Sequence, residues 1–275
     1  PANPLFAGGE AIGGVGGPVI QAMAPAAKVA AFQNGFSLPL DSWTLAALGM
    51  DGAAHTGDEA QIVSNSWGDS RTIQDGWDPM SRFAQRLSQE AAGDVTFLAA
   101  AGNGGHGYGT VTAPGGGSII DVGASTAYGA VRAFEFVNQD QYLYGDVQPW
   151  SNRGPGALGD AAPDVTAVGA WGTGAQPLNY YFGNGQAAYD IFGGTSMSTP
   201  VAAGNLALIY QAFRGQPQNR RWPTWQEARS FLLSSAQDLG YDVFTQGSGN
   251  VQAGRAVDMV TGLAARVEPV QWQAG

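Results

Sequence analysis

Short apolar runs recur along the chain at Lys28 to Phe32, Ile62 to Asn65, Val95 to Ala101 and Ser118 to Gly123, separated by turn-forming and helix-like segments. Compact runs of this kind, apolar without strict alternation, predict strands buried on both faces, as in a parallel sheet covered by helices. Between the second and third runs, Asp78 is placed to cap a helix. Pro79 suits that helix's first position, and Phe83, Leu87 and Ala91 repeat every four residues. A further helix is predicted over Thr199 to Phe213. Its small and apolar residues nearly fill the circumference, as in a buried helix, and Gly204 would let it pack closely on the sheet. Ahead of Trp225 to Ser235, Thr224 and Glu227 form a capping box, with Ala228, Phe231 and Leu232 facing inward. Together these elements predict an α/β fold in three layers, a mainly parallel central sheet with helices on both faces.

Composition narrows the picture. A chain of 275 residues that is 44% apolar can bury one sizeable core, and nothing in its length demands a second full domain. The 42 glycines and 15 prolines are interleaved with strand-like runs and lack a period of three, so they read as turns and close backbone approaches. With 12 basic and 22 acidic residues the net charge is −10, and no basic cluster exceeds Arg220-Arg221, which argues against nucleic acid as a partner. There is no apolar run long enough for a membrane span and no signal-peptide pattern. The lack of cysteine excludes disulfides, thiolate catalysis and Cys-ligated metal.

The chemistry concentrates in Gly193-Gly194-Thr195-Ser196-Met197-Ser198-Thr199-Pro200, a serine in a glycine-rich turn that opens directly into the buried helix. Such a position exposes a hydroxyl where unpaired N–H groups and the helix dipole favour a developing anion. Taken alone, Ser196 or Ser198 could equally be a plain helix cap. Upstream, Asn103 follows Ala99-Ala100-Ala101-Gly102 at the end of a strand-like run, where an asparagine is by itself an ordinary turn residue.

The whole string from Gly193 to Gly204 resembles the nucleophile motif of the subtilisin family, and further landmarks follow the family's order. These are Met23-Ala24-Pro25, Ser64-Asn65-Ser66-Trp67-Gly68, Asn103 in its strand-end setting, Thr112-Ala113-Pro114-Gly115, Trp150-Ser151-Asn152-Arg153-Gly154-Pro155 and Ala162-Pro163-Asp164-Val165. The family's closing strand and final helix have counterparts in Gln246 to Val251 and Ala253 to Val257. The resemblance implies a subtilisin-like catalytic domain over 23–261, after an irregular lead-in over 1–22 and before a tail or linker over 262–275. It implies a secreted or cell-surface serine endopeptidase with Ser196 as nucleophile and Asn103 as oxyanion donor. Ser66, Trp67 and Gly68 would form one edge for an extended peptide or protein substrate, and Ala99, Ala100, Ala101 and Gly102 one wall of the specificity pocket. No cofactor is required for that chemistry. Structural calcium is compatible with the family and with the acidic loop Asp51 to Asp58, but no metal ligands are assigned, since no Asp-x-Asp-x-Asp-Gly pattern occurs.

One departure is large. The family's catalytic Asp and His precede the Met23-Ala24-Pro25 landmark, yet residues 1–22 hold no histidine, and neither His55 nor His106 lies in the family's histidine setting. A serine without its base is a poor nucleophile. The expectation is therefore that Asp and His lie on a separate or missing N-terminal chain and that this chain alone is inactive. The alternative is a catalytically dead subtilisin fold with a structural or binding role.

Overall fold

A computed structural model describes residues 23–32, 39–91, 93–126, 146–170, 172–175 and 189–263. The lead-in expected over 1–22, and the tail beyond residue 263, lie outside the described residues. The central sheet has strands β1 (Ile62–Asn65), β3 (Thr96–Ala100), β5 (Ile120–Thr126) and β6 (Val165–Ala170), all parallel and adjacent in that order. Two short antiparallel pairs flank it: β2 (Asp69–Ile73) with β4 (Thr112–Ala113), and β7 (Gly172–Ala175) with β8 (Tyr189–Phe192).

The crossover from β1 to β3 runs through α2 (Pro79–Arg86), which continues as a π-helical turn over Leu87–Ala91. The Asp78 carboxylate caps α2 by accepting from the Met80 and Ser81 N–H groups at 3.1 and 3.0 Å. This satisfies donors that have no partner inside the helix. Helix α1 (Leu40–Leu48) lies on the same side, and its Trp43, Ala46 and Ala47 pack with Phe97, Ala99, Ala84 and Leu87.

The other face is covered by α3 (Thr195–Arg214), with α4 (Trp225–Ser235) and α6 (Ala253–Val260) behind it. Leu98, Ile120, Val122, Val165 and Ala167 point to this layer and meet Ala202, Leu206 and Ile209 of α3. In β3 the alternation is visible residue by residue: Phe97 and Ala99 enter one core, Leu98 the other. Burial on both faces explains the continuous apolar run in the sequence, and the three-layer α/β architecture is the expected one. The capping box of α4 also forms, with Glu227 N donating to Thr224 Oγ1 and Thr224 N to the Glu227 carboxylate.

Four expectations need correction. Lys28 to Phe32 is not a strand: it is exposed along its length, with Val29 75% accessible. An apolar run becomes a strand only where a neighbour supplies the hydrogen-bond ladder, and among the described strands β1 pairs with β3 alone. The helix expected from Thr199 begins at Thr195 and buries one face, leaving Val201, Ala203 and Leu208 partly exposed. Gly204 packs against Met23, not the sheet: a Cβ there would lie 2.6 Å from Met23 Cβ. At the C-terminal end, α6 is helical as expected, but in place of a strand over Gln246 to Val251 a short helix α5 (Val243–Gln246) is followed by isolated bridges from Asn250 to Thr166 and Gln237.

Candidate active site

The carboxyl ends of β1 and β3 and the start of α3 meet around a cleft of about 560 Å³. Trp67 and Gly68 line it on one side, Ala100, Gly102 and Asn103 on another, and Ser196 stands at its edge. Such a crevice beyond the strand ends is where open parallel sheets place ligands. Of the two wall segments read from sequence, Ala100 and Gly102 face the cleft, whereas Ala99 and Ala101 are buried behind it. The Trp67 wall is backed by Trp43, whose ring stacks on it at 5.7 Å and whose indole N–H donates to Asn65 Oδ1 at 2.8 Å.

Ser196 is the second residue of α3, so its backbone N–H has no intrahelical acceptor. Its hydroxyl donates to Ser66 O at 3.0 Å, and the Ser66 hydroxyl donates back to Ser196 O at 2.8 Å. Ser196 and the expected substrate edge are thus in direct contact across 130 residues of sequence.

Asn103 is brought beside the same helix start. Its side-chain carbonyl accepts from the Thr195 N–H at 2.8 Å and the Thr195 hydroxyl at 2.9 Å, and the Thr195 hydroxyl in turn accepts from Gly102 N at 3.2 Å. With Oδ1 engaged, the amide is oriented and its Nδ2 donors face away from Thr195. Gly194, at φ +141°, precedes them. A Cβ built there would lie 3.4 Å from Asn103 Nδ2 and 3.6 Å from Ser196 N. Two donors therefore border one small space that the absent side chain leaves open, as stabilisation of an oxyanion requires.

No base completes this arrangement among the described residues. His55, at φ +67°, pairs with Asp94 at 3.6 Å, His106 is exposed beyond Asn103, and neither hydrogen-bonds to Ser196. Among the described residues no group of three or more His, Asp or Glu side chains could hold a metal ion. In the acidic loop, Asp51 accepts from Ala53 N, and Asp58 accepts from Met50 N and Thr56 Oγ1.

The profile of the subtilase family matches residues 6–251. The chain belongs to the subtilase family. Tripeptidyl-peptidase 2 of Oryza sativa subsp. japonica is 29% identical over 203 residues, covering 73% of this chain and 14% of that protein. Pyrolysin of Pyrococcus furiosus is 30% identical over 209 residues, covering 72% of this chain and 14% of that protein. The chain thus spans about one seventh of these relatives' length. Among solved structures, a lanthipeptide protease superposes with a TM-score of 0.56 at 20% identity, covering 80% of this chain and 65% of that one. The prenylagaramide maturation protease PagA gives 0.52 at 26% identity, covering 74% and 63%. Among the described residues of this subtilase no helix is long and apolar enough to cross a membrane.

The residue pattern singles out Ser196, Asn103 and the segments beside the cleft, but not the residues that hold them. Thr195 belongs to the Ser196 motif, Trp43 lies in no motif, and Asn152 falls in a family landmark with no role attached. The only available signal for Trp43 was its spacing to Ala46 and Ala47 on one helical face.

Proposed function

We propose that this subtilase chain carries the nucleophile and oxyanion hole of a serine endopeptidase whose Asp and His come from polypeptide outside these 275 residues. Ser196 Oγ attacks the scissile carbonyl carbon while a histidine takes its proton. The carbonyl oxygen becomes the tetrahedral oxyanion between Asn103 Nδ2 and Ser196 N. The histidine then protonates the leaving amine, giving an acyl-enzyme at Ser196 that water hydrolyses by the reverse proton path. The observation that supports this most is the double hydrogen bond from Thr195 to Asn103 Oδ1, which fixes the amide beside the helix start that bears Ser196.

An extended peptide would lie between Ser66 to Gly68 and Ala100 to Gly102, recognised mainly through its backbone. The absence of a histidine bonded to Ser196 supports the need for a contributed base and also favours the second reading, a dead subtilisin fold with a binding role. An internally quenched peptide library separates the two. Hydrolysis that appears when an N-terminal segment bearing Asp and His is supplied, and disappears in Ser196→Ala, supports the endopeptidase. Folded complex with no turnover on any library member supports the binding protein.

A further inference from the structure

Asn103 projects from the loop that follows β3, and one buried residue, 48 positions from Gly104 and 51 from Ala101, holds the backbone on both sides of it. Asn152 is 2% exposed. Its Nδ2 donates to Ala101 O at 3.0 Å, and its Oδ1 accepts from Gly104 N at 2.7 Å. Its backbone N–H donates to Gly102 O at 3.0 Å, and one residue pair further out Gly105 N donates to Trp150 O at 3.1 Å. A primary amide suits this task because it presents one acceptor and two donors on a single rigid plane, which neither a hydroxyl nor a carboxylate does. The fit is close: a Cβ at Gly102, whose φ is +108°, would come 2.1 Å from Asn152 Nδ2.

We infer that Asn152 is a positioning residue for the oxyanion hole, setting the backbone from which Asn103 reaches the developing charge. Asn152 bonds to neither Ser196 nor Asn103, so it acts through the loop and not on the substrate. The inference rests on the proposed role of Asn103. A reacting group displaced by about 1 Å can lose ~10² in rate. Loss of a whole oxyanion donor costs about 10²–10³ in subtilisin. Asn152→Ala is therefore expected to lower kcat by about 10–100-fold with KM changed less than about two-fold, because the interaction matters chiefly in the transition state.

A double-mutant cycle in the assembled enzyme, with active sites counted by fluorophosphonate titration, tests this. In an Asn103→Ala background, Asn152→Ala should cost less than about three-fold further, since residues acting as one unit are non-additive. Multiplicative losses, or no loss in the single variant, overturn the inference. Should Asn152→Ala not fold, Asn152→Ser is carried through the same cycle. Amide NMR supplies an arm that needs no turnover. In the Asn152 variant the Gly104 N–H should exchange faster and the Asn103 side-chain amide resonances should shift, with Leu98 and Leu206 amides unchanged. Unchanged Gly104 and Asn103 signals contradict the inference even if the assembled parent proves inactive, an outcome that would itself count against the peptidase reading.

Discussion

Thr195 grips Asn103 twice, through its backbone N–H at 2.8 Å and its hydroxyl at 2.9 Å, so the residue before Ser196 orients the amide that would serve as oxyanion donor. The backbone bond survives any side-chain change at Thr195, which leaves the hydroxyl as the testable half. Thr195→Val keeps the shape and removes the hydroxyl. The change breaks two hydrogen bonds, the one donated to Asn103 Oδ1 and the one accepted from Gly102 N. The loss at Asn103, about 0.5–1.5 kcal/mol net, should lower kcat by at least about 2–10-fold in the assembled enzyme. Steady-state kinetics on a single peptide substrate reads this, and an unchanged kcat would show that the backbone bond suffices.

Gly194 leaves open the space between Asn103 Nδ2 and Ser196 N. Gly194→Ala places a methyl group there and forces a side-chain-bearing residue into φ near +141°, a strained region. The expected loss is at least that of an oxyanion donor, about 10²–10³ in kcat. Circular dichroism should show the fold retained, so that the loss lies in the site. Full activity in this variant would remove the space from the mechanism.

Away from the cleft, Asp121 is buried within β5. Burial holds its carboxyl well above the ordinary range, and the nearby carboxylates of Asp164 and Asp160 push in the same direction, against the Gly116 N–H and the Arg229 guanidinium. A folded-state pKa above the unfolded one means that the folded protein binds the proton more tightly. The destabilisation is therefore absent below the unfolded value near 3.8 and grows as pH rises toward the raised folded value. Asp121→Asn keeps an acceptor for Gly116 N and removes the charge. It should raise Tm at pH 7, by ~2–4 °C for each kcal/mol relieved, and leave Tm unaltered near pH 3.5. Thermal unfolding across pH checks both the direction and the window.

Asp164 is itself held by an ion pair with Arg229, both largely buried, while its other oxygen accepts from Asp121 N at 2.8 Å. Arg229→Met strands the Asp164 carboxylate in the interior. Breaking a buried pair on one side costs about 3–5 kcal/mol. Urea unfolding should show the midpoint fall accordingly, and Asp121→Asn should recover part of the loss by removing the adjacent carboxyl.

Local features with a short-range cause were legible before any coordinates. Asp78 with Pro79 and Thr224 with Glu227 marked helix starts because a cap and its donors sit within three residues. The strand β3 was legible because burial on both faces removes polar alternation. Lys28 to Phe32 misled because its composition fits a buried strand while pairing depends on a neighbour, which composition does not encode. Gly204 misled for a related reason: a helix glycine signals close approach without saying to what. Ser196 and Asn103 stand out through an ordered motif, whereas Asn152, though part of a landmark, has side-chain bonds that both end on backbone atoms 48 and 51 residues away, so the pattern does not show which residues it holds.

Ser196 is expected to become a nucleophile when a base is supplied from outside this chain. Treating the folded, assembled protein with a fluorophosphonate probe and mapping the adduct by peptide mass spectrometry tests it directly, because the probe reacts with an activated serine. The expected result is a single adduct on Ser196, lost in Ser196→Ala and absent when these 275 residues are treated alone. No adduct on the folded assembly, or an adduct at Ser66 or Ser198 instead, would contradict the account.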